Sequence, residues 1–378
     1  MLPEISTLPI LQLASGDYLS LQVYHFRGDR PGKKAYLQSN LHGCEISGNA
    51  VLHELINFLQ SLDRTQLEGE VVIVPARNPM AMNARSHHFS SGRYNPYDGR
   101  DWNRIFWDYH KVSHDLDEIA RDFCELEVET IRKEYLKLIQ TTFNRHHDNL
   151  DSASGVPLHK RYRYLLQSLC LDANYVIDCH SSSNRTIDYF YCFHDREESA
   201  KYFLIDLGIF LESYDGYTFD EAFLKPWLAL EKALAKQGRK IIFDLESWTL
   251  ELGGGMEVNS QSVAKGVRGI KNYLAGKKML TISGFPLAET HQHQVQFFHK
   301  HQLRRYHAVA GGILRDRLPL GSVVKAGDRL YTLLSFNKNG ECPTQVAIEA
   351  ERDGIIYDLS LNESVNQSDY VLSIFEDH

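Results

Sequence analysis

An apolar run leads into a histidine and a glutamate in the stretch Ala35-Tyr36-Leu37-Gln38-Ser39-Asn40-Leu41-His42-Gly43-Cys44-Glu45. The run from Ala35 to Leu41 predicts a strand, and the apolar stripe that follows predicts a helix from Ser47 to Leu62. His42 and Glu45 are therefore expected at a strand-to-helix corner, which exposes both side chains at one place. Imidazole and carboxylate groups are ligands of catalytic zinc, which takes three protein ligands and leaves a fourth position open.

A second pair with the same spacing, His194 and Glu197, tests how specific this pattern is. That pair lies in a run of charged residues, which favours a solvated surface turn over a metal site. A third ligand for the first pair is offered by the run from Tyr175 to His180, because this is another apolar strand pattern that ends in a histidine. The sequence therefore predicts that His42, Glu45 and His180 bind one zinc ion per chain.

Size and charge limit the classes of partner. The chain has 378 residues, is 43% hydrophobic and carries a formal net charge of -8 without a long basic run. This length allows a large core and two domains. The charge pattern does not favour nucleic acid or a membrane surface, and a small-molecule or peptide substrate is expected instead. The sequence leaves open whether the chain forms a homo-oligomer.

The first residues and the cysteines both favour a cytoplasmic protein. The start Met1 to Ser6 lacks the basic and apolar segments of a signal peptide, and no apolar stretch approaches the roughly 18 residues of a membrane span. The six cysteines show no paired spacing, and Cys44 and Cys179 stand beside the predicted ligands, where oxidation would be harmful. A reducing compartment fits both observations.

The order of apolar segments predicts an α/β fold with a mixed sheet flanked by helices. Residues 10–26 have the pattern of an opening hairpin, and residues 71–75 that of a buried central strand. Predicted strands alternate with predicted helices, which is typical of an α/β sheet. The further elements are a strand at 189–193 and helices near 221–237 and 258–274.

Two segments depart from this alternation. Residues 115–144 and 159–171 have helical spacing and predict a helical insertion near 106–172, with His146 and His147 at the surface. From about residue 291, short apolar runs are punctuated by Gly and Asp, which predicts a small all-β domain of barrel or sandwich type. We therefore expect a catalytic domain over residues 1–288 and a C-terminal β domain over residues 289–378.

Four arginines are close together in the polar segment 78–104, which could be an ordinary solvated loop. Because Pro96, Gly99 and Trp102 indicate a shaped loop, we expect these cations to recognise a substrate carboxylate near the metal site. The arginines are Arg85, Arg93, Arg100 and Arg104.

A carboxylate for proton transfer is predicted at Glu246. The run from Ile241 to Glu246 has the composition of a buried strand with Glu246 at its end. In open α/β sheets, ligands bind beyond the carboxyl ends of the strands, so Glu246 is expected to face the same crevice as the metal ligands. A structural salt bridge is the alternative role for this residue.

Taken together, these motifs resemble the succinylglutamate desuccinylase/aspartoacylase family, whose fold and zinc site are similar to those of zinc carboxypeptidases. The resemblance extends over nearly the whole chain. It is carried by the segment 41–45, Asn78-Pro79, Arg93, the segment 101–104, Asp178-Cys179-His180, Leu245-Glu246 and the C-terminal β module.

The resemblance implies a role for each of these residues. His42, Glu45 and His180 would bind zinc, which activates water and polarises the substrate carbonyl. Glu246 would transfer the proton, and Arg93 would polarise the scissile carbonyl, with Arg85 as the alternative. Asn103 and Arg104 would hold a substrate carboxylate, and the C-terminal module would wall off part of the pocket.

The chain also departs from the family pattern. Ile105-Phe106-Trp107-Asp108 stands where many relatives have Phe-Pro-Gly, which leaves the acyl group and the amino acid of the substrate undefined. The first functional hypothesis is a zinc-dependent deacylase of an anionic N-acyl amino acid. The alternatives are a zinc carboxypeptidase acting on small peptides or cell-wall fragments, and a zinc-stabilised binding protein without activity.

Overall fold

A nine-stranded mixed sheet forms the centre of the protein. The computed structural model describes all residues except 87, 113–114, 151, 215–216, 255 and 377–378, and it does not describe the side chains of residues 88 and 89. In chain order, the described strands up to residue 298 are β1 (Glu4–Gln12), β2 (Tyr18–Arg27), β3 (Arg30–Ser39), β4 (Glu68–Val74), β5 (Arg85–Ser86), β6 (His88–Phe89), β7 (Tyr175–Ser182), β8 (Arg185–Thr186), β9 (Tyr189–Phe193), β10 (Leu207–Leu211), β11 (Glu246–Gly254) and β12 (Gln296–Phe298).

The sheet has the order β1-β2-β4-β3-β7-β11-β9-β10-β12. Strands β4, β3, β7 and β11 are parallel to one another, whereas β1 and β2 form an antiparallel hairpin at one edge. Because the carboxyl ends of parallel strands meet at one edge, the residues at the ends of β3, β7 and β11 lie side by side. This arrangement brings distant parts of the chain to one place.

Helices cover both faces of the sheet. The helices are α1 (Ser47–Ser61), α2 (Pro79–Met82), α3 (Leu116–Phe123), α4 (Val128–His146), α5 (Leu158–Ser168), α6 (Glu197–Ala200), α7 (Phe219–Lys236) and α8 (Ser260–Gly276). Buried apolar residues of α1 and α8 pack on one face, and those of α4, α5 and α7 share a second core on the other face. In α1, Val51, Leu52, Leu55, Ile56 and Leu59 are buried at the spacing that places them on one side of a helix.

Most of the predicted elements are confirmed. The opening hairpin, the strand before His42, the helix after Glu45, the strand at 71–75 and the strand that contains His180 are all present. The predicted helices near 221–237 and 258–274 correspond to α7 and α8. The mixed α/β fold class is therefore correct.

Three local predictions are wrong. The helical pattern from residue 115 to 144 belongs to two helices, α3 and α4, which are separated by residues 124–127. His147, predicted at the surface, is buried beside Phe143 and Tyr164, and burial lowers its pKa to about 4. The apolar run that precedes Glu246 is not a strand, because β11 begins at Glu246 and continues to Gly254.

The C-terminal segment forms two small sheets with their own apolar core. Its strands are β13 (Leu303–His307), β14 (Gly312–Arg315), β15 (Val323–Val324), β16 (Arg329–Ser335), β17 (Thr344–Glu349), β18 (Gly354–Leu359), β19 (Ser364–Val365) and β20 (Tyr370–Glu376). Strand β12, which lies beyond residue 288, still pairs with β10 in the large sheet. The division into domains at residue 288 stays a prediction.

The C-terminal sheets are joined to the chain segment that follows His180. Strand β8 pairs with β18, and the carboxylate of Asp358 accepts hydrogen bonds from Ser182 Oγ at 2.9 Å and Asn184 Nδ2 at 3.0 Å. Tyr189 and Tyr357 pack edge to face across the same junction. These contacts fix the end of β7 against the C-terminal β structure.

Among the described residues, no helix combines the length and the apolar character that a membrane crossing requires.

Candidate metal centre and active site

His42, Glu45 and His180 converge at the carboxyl ends of β3 and β7. Their potential ligand atoms all lie within 4.8 Å of one another, and each residue is at most 3% exposed. His42 Nδ1 lies 2.7 Å from Glu45 Oε1, and His180 Nδ1 lies 2.7 Å from Glu45 Oε2. The structure thus brings together the three residues that the sequence predicts as ligands.

The turn that carries His42 depends on two neighbouring residues. Asn40 has a φ of 66°, a left-handed conformation that Asn tolerates better than most residues, and its Nδ2 donates to the carbonyl oxygens of His42 and Gly43. A Cβ atom on Gly43 would lie 2.2 Å from the carbonyl oxygen of Ala81, so only glycine fits there. This packing fixes the direction in which His42 leaves the backbone.

Two further carboxylates contact the outer nitrogens of the histidines. Asp101 Oδ1 lies 3.1 Å from His42 Nε2, and Asp178 Oδ2 lies 3.1 Å from His180 Nε2. The contact of His42 with Asp101 is a hydrogen bond, and an Nε2–H that donates outward leaves the lone pair of Nδ1 directed inward, whereas the contact of His180 with Asp178 has the distance but not the alignment of a hydrogen bond. Sequence reasoning did not assign this role to either residue.

The donor set fits a divalent cation. With Nε2 protonated, each imidazole presents a lone pair from Nδ1 to a carboxylate oxygen of Glu45, and two acceptors at 2.7 Å repel each other unless a positive charge lies between them. Burial by itself would raise the pKa of Glu45, but positive charge on the two imidazoles, which a bound cation would replace, lowers it well below its ordinary value. Two nitrogens and one ionised carboxylate are a ligand set that catalytic zinc uses.

Arg93 lies at the edge of this cluster. Its Nε is 3.0 Å from Asp101 Oδ2, and its Nη1 is 4.0 Å from Glu45 Oε1, while a third of its side chain stays exposed. Burial by itself would raise the pKa of Asp101, but contacts with His42 and Arg93 lower it to about 2. A guanidinium in this position can contact Glu45 and, with its exposed part, a molecule that enters the site from solvent.

Glu251 is the carboxylate that the sheet places beside the cluster. In the parallel pairing of β11 with β7, Glu251 is the partner of His180. Burial raises its pKa to about 7, where His180 opposes the increase and the nearby Glu45 adds to it. Its Oε2 atom is buried and has no hydrogen-bond partner among the described residues. A carboxyl group in this state can accept and release a proton near neutral pH.

Glu246 does not lie at the cluster of His42, Glu45 and His180, which corrects the prediction from sequence. It begins β11 and pairs with Tyr175, so five residues, or about 17 Å at about 3.3 Å per residue, separate it from Glu251. Its carboxylate accepts hydrogen bonds from Ser199 Oγ, Tyr273 OH, Trp248 Nε1 and Lys277 Nζ. Glu246 is therefore part of a buried ion pair with Lys277, which is the structural role that the sequence analysis gave as the alternative to proton transfer.

A signal for Glu251 is present in the sequence. Trp248, Leu250 and Leu252 alternate with Thr249 and Glu251, which is the period of a strand with one apolar and one polar face. The glycines from residue 253 onward mark the end of that strand. This alternation, and not the apolar run before Glu246, locates the carboxyl end of β11.

The predicted substrate-binding residues lie in the turn after Asp101. Asn103 Oδ1 accepts from the backbone N–H of Phe219 at 2.9 Å, which fixes the amide plane. Arg104 is exposed, and its Nη1 donates to the carbonyl oxygen of Asn103 at 2.8 Å. Both residues therefore stand next to Asp101, which contacts the predicted ligand His42.

The other cations of this segment lie differently. Arg85 is in the short hairpin of β5 and β6, where its Nη1 donates to the carbonyl oxygens of Met82 and Ala84. Arg100 is 3.3 Å from Asp98. The described contacts thus link Arg93 to the cluster, whereas those of Arg85 are local. His87 lies outside the described residues.

The second pair with the same spacing, His194 and Glu197, is not part of the cluster of His42, Glu45 and His180. His194 Nδ1 is 4.0 Å from Glu197 Oε1, and the two side chains are 50% and 36% exposed. This is the surface turn that the charged sequence predicts, so His194 can serve as a control for metal binding.

The chain is similar in sequence and in fold to known proteins. Residues 31–211 match the model of the succinylglutamate desuccinylase/aspartoacylase catalytic domain. A structure assigned to that family from Shewanella amazonensis SB2B is 26% identical with a TM-score of 0.85, and the match covers 98% of this chain and 98% of that chain.

Two more distant structures show the same fold. A structure assigned to the same family from Shewanella frigidimarina NCIMB 400 is 23% identical with a TM-score of 0.87, and the match covers 99% of this chain and 97% of that chain. The product-bound ectoine utilization protein EutE (DoeB) of Ruegeria pomeroyi is 18% identical with a TM-score of 0.66, over 100% of this chain and 95% of that chain. No curated protein matches the chain.

Metal binding tests the cluster directly. The purified protein should contain close to one equivalent of a divalent metal, and His180→Ala should lose most of it because one of three ligands is removed. Elemental analysis after gel filtration measures both values. The control variant His194→Ala should keep the metal, and an unchanged metal content in His180→Ala would contradict the assignment.

Proposed function

Because residues 31–211 match the model of the succinylglutamate desuccinylase/aspartoacylase catalytic domain, which the sequence motifs resemble, we propose that the protein is a zinc-dependent hydrolase that removes the acyl group from an N-acyl amino acid. The observation that supports this most is the pairing of a buried His-Glu-His cluster with Glu251, a carboxyl group whose pKa is raised to about 7. Hydrolysis of an amide needs an electrophilic centre and a group that transfers a proton between water and nitrogen, and these two features supply them.

His42, Glu45 and His180 would hold the zinc ion. Zinc bound there would polarise the substrate carbonyl and increase the acidity of water. Asp101, which is hydrogen-bonded to His42 Nε2, and Asp178, which lies 3.1 Å from His180 Nε2, would favour the tautomer that such binding needs.

Glu251 takes the role that the sequence predicted for Glu246. It accepts a proton from the water that attacks the carbonyl carbon, and it delivers a proton to the nitrogen when the carbon–nitrogen bond breaks. The products are a carboxylic acid and a free amine. The buried Oε2 atom supports this role, because a carboxylate with few hydrogen bonds is a stronger base than a well-solvated one.

Arg93 would stabilise the negative charge that develops on the carbonyl oxygen. It is held by Asp101 at 3.0 Å and stays partly exposed, so its remaining N–H groups can reach a bound substrate. A preorganised donor of this kind contributes roughly 2.7 to 4 kcal/mol to catalysis. We assign this role to Arg93, because its Nη1 lies 4.0 Å from Glu45 Oε1 and its Nε lies 3.0 Å from Asp101 Oδ2.

The substrate carboxylate would bind to Arg104 and Asn103. A guanidinium makes two parallel hydrogen bonds to a carboxylate, and the amide of Asn103 is fixed by the backbone of Phe219. The amide bond to be cleaved would then lie between this clamp and the cluster. A screen of N-acyl amino acids against C-terminal dipeptides tests the proposal, and cleavage of peptides alone would favour a carboxypeptidase.

The two glutamates of β11, Glu246 and Glu251, should behave differently. Glu251→Gln keeps the shape but removes the base, so turnover should fall by roughly a hundred- to ten-thousand-fold while zinc stays bound. Glu246→Gln should mainly lower stability, because it weakens the contact with Lys277. Steady-state kinetics, metal analysis and thermal unfolding of both variants separate these effects. Near-normal turnover in Glu251→Gln would reject its role.

The pH dependence follows from the same carboxyl group. Glu251 must be ionised to accept a proton, and it is protonated below its pKa of about 7, so kcat/KM should fall as the pH decreases through that range. A cation in the cluster favours the ionised form, so the fall should be centred at or below about pH 7. A profile that stays flat between about pH 5 and 8 would argue against this base.

Specificity can be tested with matched substrates. Wild type should prefer a free-acid substrate over its carboxamide analogue, and Arg104→Ala should lose most of this preference. Arg104→Lys should also be impaired, because Lys cannot reproduce two parallel hydrogen bonds. The comparison of kcat and KM shows whether the clamp acts in binding or in alignment. Arg85→Ala is the control, and an equal preference in wild type and Arg104→Ala would place the carboxylate elsewhere.

A further inference from the structure

Arg77 is a fully buried arginine on the inner side of the metal cluster. Its exposed fraction is 0%, and its Nη2 lies 2.9 Å from Asp178 Oδ2. The guanidinium carbon is 5.2 Å from the centre of the Phe219 ring, and Tyr162 OH donates to the backbone oxygen of Arg77 at 3.0 Å. The residue is therefore held from its backbone to its guanidinium, and it does not reach solvent.

The oxygen that Arg77 contacts is the oxygen that faces His180. Asp178 Oδ2 lies 3.1 Å from His180 Nε2 and also accepts a hydrogen bond from Gln38 Nε2 at 3.1 Å. On its other side, His180 Nδ1 is 2.7 Å from Glu45. A continuous line of contacts thus runs from the guanidinium through the carboxylate and the imidazole to the metal cluster.

Stability alone does not explain this buried pair. The transfer of two charges from water to a protein interior costs several kcal/mol per ion, and replacement of a buried pair by apolar residues is often neutral or stabilising. The pair and the histidine beside it are also incompletely satisfied, because Arg77 Nε, Arg77 Nη1, Asp178 Oδ1 and His180 Nε2 have no hydrogen-bond partner among the described residues, and Asp178 contacts His180 Nε2 by its distance of 3.1 Å alone. An interaction with such a cost indicates a role in the geometry of the site.

The same order of groups occurs on the other histidine. His42 contacts Asp101, and Asp101 contacts Arg93, so each predicted histidine ligand is followed by a carboxylate and a guanidinium. The two arginines differ in exposure, since the side chain of Arg93 is 33% exposed and that of Arg77 is 0% exposed. Arg93 can therefore act on a substrate, whereas Arg77 can act only through Asp178.

We propose that Arg77 is a positioning residue that holds Asp178 in the orientation that directs Nδ1 of His180 to the metal. This inference rests on the proposed function, because it requires a metal in the cluster. It predicts that the loss of Arg77 weakens metal binding although Arg77 is not a ligand. Loss of a partner of a metal-bound histidine typically lowers metal affinity by roughly 10- to 100-fold.

The test measures the zinc dissociation constant of the full chain by competition with a chromophoric chelator. Arg77→Met and Asp178→Asn should each weaken zinc binding by roughly 10- to 100-fold. The double variant should bind zinc about as weakly as Asp178→Asn alone, because Arg77 has no further effect once its carboxylate is gone. Arg77→Lys keeps the charge but not the planar geometry, and it should show a smaller loss of several-fold.

A second buried ion pair provides a matched control. Arg196 Nη2 lies 2.7 Å from Glu231 Oε1, and the two side chains are 3% and 10% exposed, but the arginine contacts the backbone at Phe243 and Leu245, away from the cluster. Arg196→Met should lower the melting temperature of the metal-free protein and leave the zinc dissociation constant unchanged.

Two results would overturn the inference. The first is an Arg77→Met variant that loses stability as Arg196→Met does but binds zinc like wild type. If Arg77→Met does not fold, unchanged zinc binding in Arg77→Lys is the second. These outcomes are separate from the proposed function, which fails instead if the wild-type protein binds zinc but hydrolyses no N-acyl amino acid.

Discussion

The carboxylate of Glu45, buried between two imidazoles, is the interaction on which the rest of the site depends. A buried charge is costly unless neighbouring groups of opposite charge compensate it. Around Glu45, groups of alternating charge follow one another outward from the carboxylate. Each imidazole contacts a carboxylate, Asp101 or Asp178, and each carboxylate contacts a guanidinium. The parallel order of β3, β7 and β11 supplies the positions for this network, because it brings three strand ends to one edge of the sheet.

The two glutamates of β11 differ in the number of hydrogen-bond donors that contact their carboxylates. Glu246 receives hydrogen bonds from four donors, which fix both of its carboxylate oxygens in the structure. Glu251 lies on the same strand but has one buried oxygen without a donor, and its pKa is raised to about 7. Since both residues are glutamates, it is the number of hydrogen-bond donors around each carboxylate that separates the structural group from the one suited to proton transfer.

Local patterns in the sequence predicted the elements but not all of their partners. The two strands that lead to His42 and His180 and the helix α1 follow from apolar periodicity, which depends on neighbouring residues only. The role of Glu246 was misassigned because Ile241, Phe243 and Leu245 are buried without forming a strand, so the predicted end of the strand lay five residues too early. The partners Asp101 and Arg77 could not be predicted from local spacing, since their contacts join segments that are 59 and 101 residues apart.

The junction between β8 and β18 has a consequence for the order in which the protein is made. The end of β7, which carries His180, is fixed by Asp358, and β18 is itself paired with β20 near the end of the described chain. During translation, the residues from His42 to Glu251 leave the ribosome before these strands exist. The large sheet can therefore form early, but the segment after His180 obtains its anchor only when synthesis has reached the last strand. A nascent chain would lack the contacts of Ser182 and Asn184 with Asp358 until that moment, which separates the folding of the large sheet from the fixing of the segment that follows His180.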